Sequence, residues 1–287
     1  MTTGIRVACG QITWRRGEFT QEQILAQIAE AGYDGAPAGA RTPDQVEEIR
    51  ALFEAAGLQP APGYLGAPFW EPDQADAIVA QARDVAAAHQ ALGLTEIYVA
   101  ANLTPERRAV SGKVKPEDAL DDAGYAVMAE TLNRVGAATL EHGVRASFHN
   151  HVGSFIETRA EIDELFSRVD RSLLFHGPDI GHLAWAGDDV MSYLRDYYDD
   201  ITTIHVKDID PQVLMRGIAQ GWDYAGFSDH GIFTELGQGL VDFPALVDLL
   251  QTNGFNGWIV VETDVTQLPT ALESARISRD YLRSLRM

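Results

Sequence analysis

A repeated order of helix, glycine and apolar segment is the feature that most restricts the fold of these 287 residues. Five predicted helices end on glycine, in the segments EAG at 30–32, AAG at 55–57, ALG at 91–93, EHG at 141–143 and TNG at 252–254. Glycine tolerates the left-handed conformation that closes many helices. A short apolar segment follows each glycine, so the pattern predicts a helix, a cap and a strand five times over.

Filling the intervals between these units gives eight predicted strands, at 5–11, 33–38, 58–64, 95–101, 144–150, 172–178, 201–206 and 257–262. The segments 21–31 and 45–56 place apolar residues on one helical face, as amphipathic helices do. Alternating strands and helices indicate an α/β protein with a parallel sheet. An open doubly wound sheet is the rival architecture, but eight units favour closure into a (β/α)8 TIM barrel, with one domain over 1–287.

Four of the predicted strands end on side chains that can bind metals or move protons. They lie in the stretches FHNH at 148–151, PDIGH at 178–182, IHVKD at 204–208 and VVETD at 260–264. The carboxyl ends of the strands of a TIM barrel meet at one face, where the active site lies. The sequence therefore predicts a functional site on that face.

The residue types at these strand ends favour a divalent metal. Asp179, His205 and Glu262 form a carboxylate–imidazole–carboxylate set that suits Mn²⁺, Co²⁺, Mg²⁺ or Zn²⁺. Taken singly, each has an ordinary structural role, such as a helix cap or an ion pair, and only their joint placement favours a metal site. Residues two apart on a strand point to the same side, which pairs His149 with His151 and His205 with Lys207.

Other histidines are expected to serve the structure. His176 has the opposite strand parity to Asp179, so we expect it to face the helix layer. His89 and His142 fall within or at the ends of predicted helices, where we expect them at the surface.

Composition limits the partners and the compartment. Lys and Arg number 22 and Asp and Glu 42, so the formal net charge is 22 − 42 = −20. Such a surface repels phosphate backbones and acidic membranes, so we expect neither nucleic acid nor membrane as a partner. The single cysteine, Cys9, fits a reducing compartment, and no basic-then-apolar leader opens the chain, so we expect a cytoplasmic protein. The sequence leaves a homo-oligomer open.

Several motifs resemble one family over nearly the whole chain, most strongly from about 140 to 285. HNHVGSFIET, DIGHLAWAGDD, HVKDI and GWIVVETD resemble segments of the xylose isomerase-like TIM barrel superfamily, which includes sugar isomerases and epimerases and abasic-site endonucleases. The pattern is closest to that of the inosose dehydratases. The resemblance implies a metal, Mn²⁺ first, held by Asp179, His205, Glu262 and a fourth group that is either His149 or Glu157.

The same resemblance implies a lyase or isomerase that acts on a keto-inositol or keto-sugar through an enediolate. His151, Lys207 and Glu157 become the acid–base candidates. The substrate-binding candidates are His182, His230, Trp14 and Trp70, with the two tryptophans placed to stack on a sugar face. The alternatives are a ketose isomerase or epimerase, and a non-catalytic sugar-binding regulator on the same barrel. Ala36 and Pro37 stand where many relatives carry an acidic residue, which weakens the transfer of one exact substrate.

Overall fold

The computed structural model describes residues 4–17 and 19–287, in which strands and helices alternate along the chain. The strands are β1 (Arg6–Cys9), β2 (Gly35–Pro37), β3 (Gln59–Ala61), β4 (Tyr64–Ala67), β5 (Glu96–Ala101), β6 (Arg145–Phe148), β7 (Leu174–His176), β8 (Ile204–Val206), β9 (Asp208–Ile209), β10 (Phe233–Thr234) and β11 (Trp258–Val261). The α-helices are α1 (Gln21–Ala31), α2 (Val46–Ala56), α3 (Ala75–Ala91), α4 (Pro105–Ala109), α5 (Asp122–Leu140), α6 (Arg159–Phe166), α7 (Ile180–Ala186), α8 (Val190–Asp196), α9 (Pro211–Gln220), α10 (Tyr224–Asp229), α11 (Phe243–Thr252) and α12 (Ala271–Ser284).

The strand pairings close a parallel barrel. One run of paired strands has the order β3-β2-β1-β11-β8 and another has the order β4-β5-β6-β7. Successive strands β3 and β4 join the two runs on one side, because the third predicted strand bends at Pro62 and Gly63. On the other side, parallel bridges pair His176 with Ile201 and Asp179 with His205. The predicted TIM barrel is therefore confirmed, with all eight predicted strand positions occupied.

The helix caps agree with the sequence pattern. Gly32, Gly57, Gly93, Gly143 and Gly254 all adopt positive φ, from 68° to 84°. A residue with a Cβ atom is disfavoured in this conformation, so glycine lets the chain turn directly from each helix toward its next strand.

A small apolar layer fills the barrel below the polar strand ends. Ala8, Ala61, Tyr98, Trp258 and Val260 pack together in this layer, and each is almost fully buried. A larger apolar core lies between the strands and the surrounding helices, as expected for a barrel whose strands are covered by helices. The inner layer forms the floor beneath the polar residues of the barrel mouth.

The two long connections are ordered. The segment 102–121 contains α4, and the segment 208–241 folds into α9 and α10 and the antiparallel pair of β9 with β10. Among the helices of the described residues, none combines the length and apolar character needed to cross a membrane.

The predictions for two histidines had different outcomes. His176 faces the helix layer as expected: its ring stacks on Phe166, and its Nδ1 lies 2.6 Å from the Tyr193 hydroxyl. The surface position expected for His89 is wrong. Its side chain is fully buried, and its Nε2 accepts a hydrogen bond from the backbone N–H of Gly63 at 2.9 Å.

Candidate active site at the mouth of the barrel

Along several strands, the side chains that face the barrel interior change from apolar to polar at the carboxyl end of the strand. On β11, Val260 belongs to the inner apolar layer, and Glu262 continues the same row two residues later. His205 on β8 and Lys207 just after it form a second row, and His149 directly after β6 belongs to a third. Because side chains two apart share one face of a strand, these polar groups converge above the apolar floor.

Asp179 lies directly below the first turn of α7 and serves as its N-cap. Its Oδ1 accepts a hydrogen bond from the backbone N–H of His182 at 3.0 Å, whereas its Oδ2 accepts one from Lys207 Nζ. The Asn150 side chain fixes the Asp179 backbone, because its Nδ2 donates to the carbonyl and its Oδ1 accepts from the N–H. Asp179 is fully buried, so its carboxylate is held in one orientation.

The Lys207 ammonium lies among three carboxylates. Nζ is 2.7 Å from Asp179 Oδ2, 2.7 Å from Glu262 Oε2 and 3.3 Å from Asp264 Oδ1. Its side chain is almost fully buried, with 1% of its surface exposed. A buried ammonium requires this kind of pairing, since an unpaired charge in the interior is very costly.

Two imidazoles complete a first group of donors. His205 Nδ1 lies 3.1 Å from Glu262 Oε2 and 3.9 Å from Asp179 Oδ2, and His149 Nε2 lies 3.9 Å from the same Asp179 oxygen. His205 Nε2 and His149 Nδ1 are buried and have no hydrogen-bond partner among the described residues. The two rings meet edge to face, with their centroids 4.6 Å apart.

A second group of donors lies beside the first. His151, His182 and Asp264 bring one ligand atom each to within 4.8 Å of one another. The rings of His151 and His182 have centroids 3.7 Å apart, and His182 is fully buried. Asp264 follows β11 by three residues and lies beside Lys207.

Burial and the lysine charge set the protonation of the cluster. Burial would lower the pKa of Lys207, but attraction to Asp179, Asp264 and Glu262 outweighs it and holds the pKa well above 10.5. Burial would raise the pKa of Glu262, but attraction to Lys207 and His205 holds it well below 4.5. Burial, assisted by the Lys207 charge, lowers the pKa of His151 to about 4. At neutral pH the lysine is therefore charged, Glu262 is ionised and His151 is neutral.

A cavity of about 480 Å³ opens onto these groups. This volume lies within the usual range for small-molecule pockets. The side chains of the polar cluster that line the cavity are His149, His151, His205, Lys207, Glu262 and Asp264. The rest of its lining includes Gln11, Arg41, Tyr64 and Tyr98. The cavity can therefore present a small polar molecule to the acid–base groups.

Glu157 does not join the donors. Its Oε1 accepts a hydrogen bond from the Gly112 N–H at 2.7 Å, and its Oε2 accepts one from the Gly153 N–H at 2.8 Å. The carboxylate is fully buried beside Arg107, at 3.9 Å, and lies outside the cavity lining. Burial raises its pKa to about 7 against the effect of these hydrogen bonds. Of the two candidates for the fourth ligand, the structure brings His149 to the site and keeps Glu157 in the loop that follows β6.

Three aromatic candidates for substrate binding also lie elsewhere. Trp14 is buried, with 1% exposure, and its Nε1 donates to Gln27, so it packs in the core and cannot stack on a sugar in the cavity. Trp70 packs edge to face on Phe155. His230 is exposed and stacks on Trp222. Proximity to a strand end did not bring these side chains into the cavity lining.

Sequence reasoning missed Asp264, Asn150 and Tyr98 as parts of the site. Asp264 had a readable signal, because it stands two residues after Glu262 and shares its parity. Tyr98 lies on β5 with its ring centroid 4.2 Å from that of His205, and its hydroxyl pairs with Thr203 Oγ1. The latter pairing depends on the register between distant strands, which no local pattern shows.

The first group fits a divalent metal ion. An ion about 2.0–2.2 Å from each donor brings the donors of one shell roughly 3 to 4 Å from one another. The separations of 3.1 and 3.9 Å among His149, Asp179, His205 and Glu262 agree with that spacing. Two carboxylates of this group, Asp179 and Glu262, also already hold a positive charge, that of Lys207, which agrees with a cation site.

Comparison with known proteins defines the class of this barrel. The family model for xylose isomerase-like TIM barrels matches residues 25–285. The chain therefore belongs to the xylose isomerase-like TIM barrel family, as its motifs indicated.

The relatives support an enzyme with sugar-modifying activity. The inosose dehydratase of Clostridium perfringens is 25% identical over 299 residues, which cover 98% of this chain and 97% of the relative. The structure is also similar to those of 3-keto-D-glucoside 4-epimerase, YcjR, from E. coli (TM-score 0.70, 18% identity, 98% of this chain and 99% of the other) and of the probable 3-DHS dehydratase AsbF from Bacillus anthracis (TM-score 0.74, 12% identity, 97% and 98%). At these identities the two structures establish the shared fold alone.

Proposed function

We propose that this enzyme, acting through one barrel domain over residues 1–287, dehydrates a keto-inositol or a closely related keto-sugar. The reaction removes the proton next to the carbonyl, gives an enediolate and then expels a β-hydroxyl as water. His149, Asp179, His205 and Glu262 would hold a divalent ion, for which Mn²⁺ is the first choice. The match to inosose dehydratase over almost the full length of both chains supports the substrate class.

One observation carries the proposal: a buried ammonium, two imidazoles and three carboxylates converge at the floor of a cavity sized for a small molecule. A barrel that only binds a sugar has no need for a lysine held by three carboxylates. Groups arranged to move protons are therefore better explained by chemistry than by recognition.

The ion would supply electrophilic stabilisation of the carbonyl and of an adjacent oxygen. This chain supplies the proton transfers. His151 Nδ1 donates to the backbone carbonyl of Val152 at 2.7 Å, so its Nε2 carries the lone pair. Because the imidazole is neutral at pH 7, His151 can accept the proton next to the carbonyl.

Lys207 is placed to return a proton to the leaving group. Its ammonium stays charged at neutral pH, and it lies in the cavity wall beside Asp264. Donation of a proton from Nζ to the departing β-hydroxyl releases water. His151 then loses its proton to solvent, and solvent returns a proton to the neutral Lys207 amine. If a proton donor on the opposite face of the enediolate instead protonated the same carbon, the product would be an epimer and no water would leave.

The test is product analysis with metal-stripped and Mn²⁺-reloaded protein on a panel of keto-inositols and keto-sugars. We expect a product lighter by one water, formed only after reloading. Asp179→Asn and Glu262→Gln should lower its rate of formation by a factor of roughly 100 or more, since each removes a donor of the first group. Asp248→Asn, at an exposed position on α11, is the matched control and should retain the full rate.

Two results would overturn the proposal. One is undiminished product formation by the metal-stripped protein. The other is a product of unchanged mass from every substrate of the panel, which would instead assign an isomerase or epimerase.

A further inference from the structure

The second group of donors, His151, His182 and Asp264, has the composition of a cation site. One ligand atom from each lies within 4.8 Å of the other two. Two imidazoles and one carboxylate, with further positions open, are a donor set for Zn²⁺ and similar first-row transition ions. We propose that these three residues form a second divalent-metal site, adjoining the first and distinct from it.

The orientation of His151 favours coordination through one defined nitrogen. Its Nδ1 donates to the Val152 carbonyl oxygen at 2.7 Å, within the same turn of the chain. A metal-binding histidine commonly donates its other ring N–H to a backbone carbonyl, which fixes the ring and its tautomer. The lone pair of His151 Nε2 is then directed away from the backbone, toward the cavity that His151 lines.

His182 gives the strongest indication that this group binds an ion. Its side chain is fully buried, yet neither ring nitrogen has a hydrogen-bond partner among the described residues. Buried polar atoms without partners are rare in native proteins, and each calls for an explanation such as a bound ion. The position of the ring is fixed by its backbone, because the His182 N–H donates to Asp179 Oδ1 in the first turn of α7.

Asp264 supplies the negative charge of this group, and Lys207 contacts it less closely than it contacts Asp179 and Glu262. The lysine makes hydrogen bonds of 2.7 Å to Asp179 and to Glu262, whereas Asp264 Oδ1 lies 3.3 Å away and has no hydrogen-bond partner among the described residues. That oxygen is buried, and because its contact with Lys207 is the longest of the three, it can also ligate an ion. Together the three residues offer two neutral donors and one anionic donor without taking any ligand from the first group.

The two groups are close enough for their ions to affect each other. His182 Nε2 lies 3.9 Å from Asp179 Oδ2, which is itself 3.9 Å from His149 Nε2 and from His205 Nδ1. Asp179 Oδ2, a donor of the first group, therefore lies near histidines of both groups. Two-metal sites with their ions about 3.5–4 Å apart are common in enzymes.

Occupation of the second site has a consequence that rests on the proposed function. An ion on His151 Nε2 removes the lone pair that would accept the substrate proton. Activity should therefore rise as the first site fills and fall at higher Zn²⁺, in a two-phase response to metal.

The test is the number of Zn²⁺ ions per chain, measured by mass spectrometry of the metal after equilibrium dialysis of stripped protein. We expect two ions at saturation in the unaltered protein, and one in Asp264→Asn and in His151→Ala. His205→Ala should also hold one, while His142→Ala, which removes a histidine at the end of α5 remote from the mouth, should hold two. Circular dichroism checks that each variant is folded. Two second-site variants are used so that the test can still be made if one of them does not fold.

The outcomes separate this proposal from the proposed function. One ion per chain in the unaltered protein, or two in both Asp264→Asn and His151→Ala, overturns the second site whatever the enzyme does. Two ions per chain at saturation, with no dehydration at any lower metal concentration, leaves the second site standing and overturns the proposed function instead.

Discussion

Replacement of Lys207 by Met in the metal-free protein should cause a large loss of stability. The ammonium is almost fully buried and lies within 3.3 Å of three carboxylates, so its removal leaves Asp179, Glu262 and Asp264 facing one another without a cation. Removing one partner of a buried ion pair costs about 3–5 kcal/mol. For a chain of this size, where each kcal/mol shifts the unfolding midpoint by about 2–4 °C, the drop should be on the order of 10 °C.

The assay is thermal unfolding at pH 7, followed by circular dichroism at one fixed scan rate, with and without Mn²⁺. Since an ion can replace the missing charge, Mn²⁺ should raise the midpoint of Lys207→Met more than that of the unaltered protein. Lys115→Met, at an exposed lysine, is the matched control and should unfold with the unaltered protein. A Lys207→Met midpoint equal to that of the unaltered metal-free protein would refute the reasoning.

Three further outcomes follow from the structure. Burial raises the pKa of Glu157 to about 7, above its ordinary 4.5. The folded protein therefore favours the neutral carboxyl, and the stability that this gives at low pH is lost as the pH rises through 7. The unfolding midpoint of the unaltered protein should therefore fall relative to that of Glu157→Gln between pH 5 and pH 8, and a constant difference would contradict this pKa. Trp14→Ala should lower the free energy of unfolding by about 3–5 kcal/mol in denaturant, with KM unchanged. A raised KM with unchanged stability would show instead that Trp14 binds the substrate. Gly10→Ala should weaken Mn²⁺ binding by about 10- to 100-fold in calorimetry, because the new Cβ would collide with the Glu262 side chain, and unchanged affinity would show that Glu262 is not a ligand.

The features readable from the sequence are those fixed by local periodicity. Glycine closes each of five helices in the left-handed conformation, and the apolar segments that follow become strands, so the barrel could be predicted. The two-residue period of a strand also places His205 with Lys207 and puts Glu262 above the inner apolar layer. The fold brings His149, Asp179, His205 and Glu262 together because parallel strands end at one face.

The features that could not be read depend on how distant segments meet. Glu157 is withdrawn from the site by the Gly112 and Gly153 N–H groups, one of which belongs to the long connection after β5. His89 is buried because the bend at Gly63, a residue 26 positions away, gives its ring a hydrogen-bond donor. Trp14 turns into the core to meet Gln27 on α1. In each case the deciding contact is tertiary, and a single residue's surroundings in sequence do not contain it.

The most direct test of the central claim is solvent deuterium exchange into a keto-inositol, with protein that carries one Mn²⁺ ion per chain. The reaction is run in D2O and read by NMR after removal of the ion. Deuterium should replace the proton next to the carbonyl, or water should leave beside it, and both changes should be lost in His151→Gln. Exchange that persists in His151→Gln would remove that residue as the base. No exchange at all, with the ion shown to be bound, would contradict the claim that this site removes a proton next to a carbonyl.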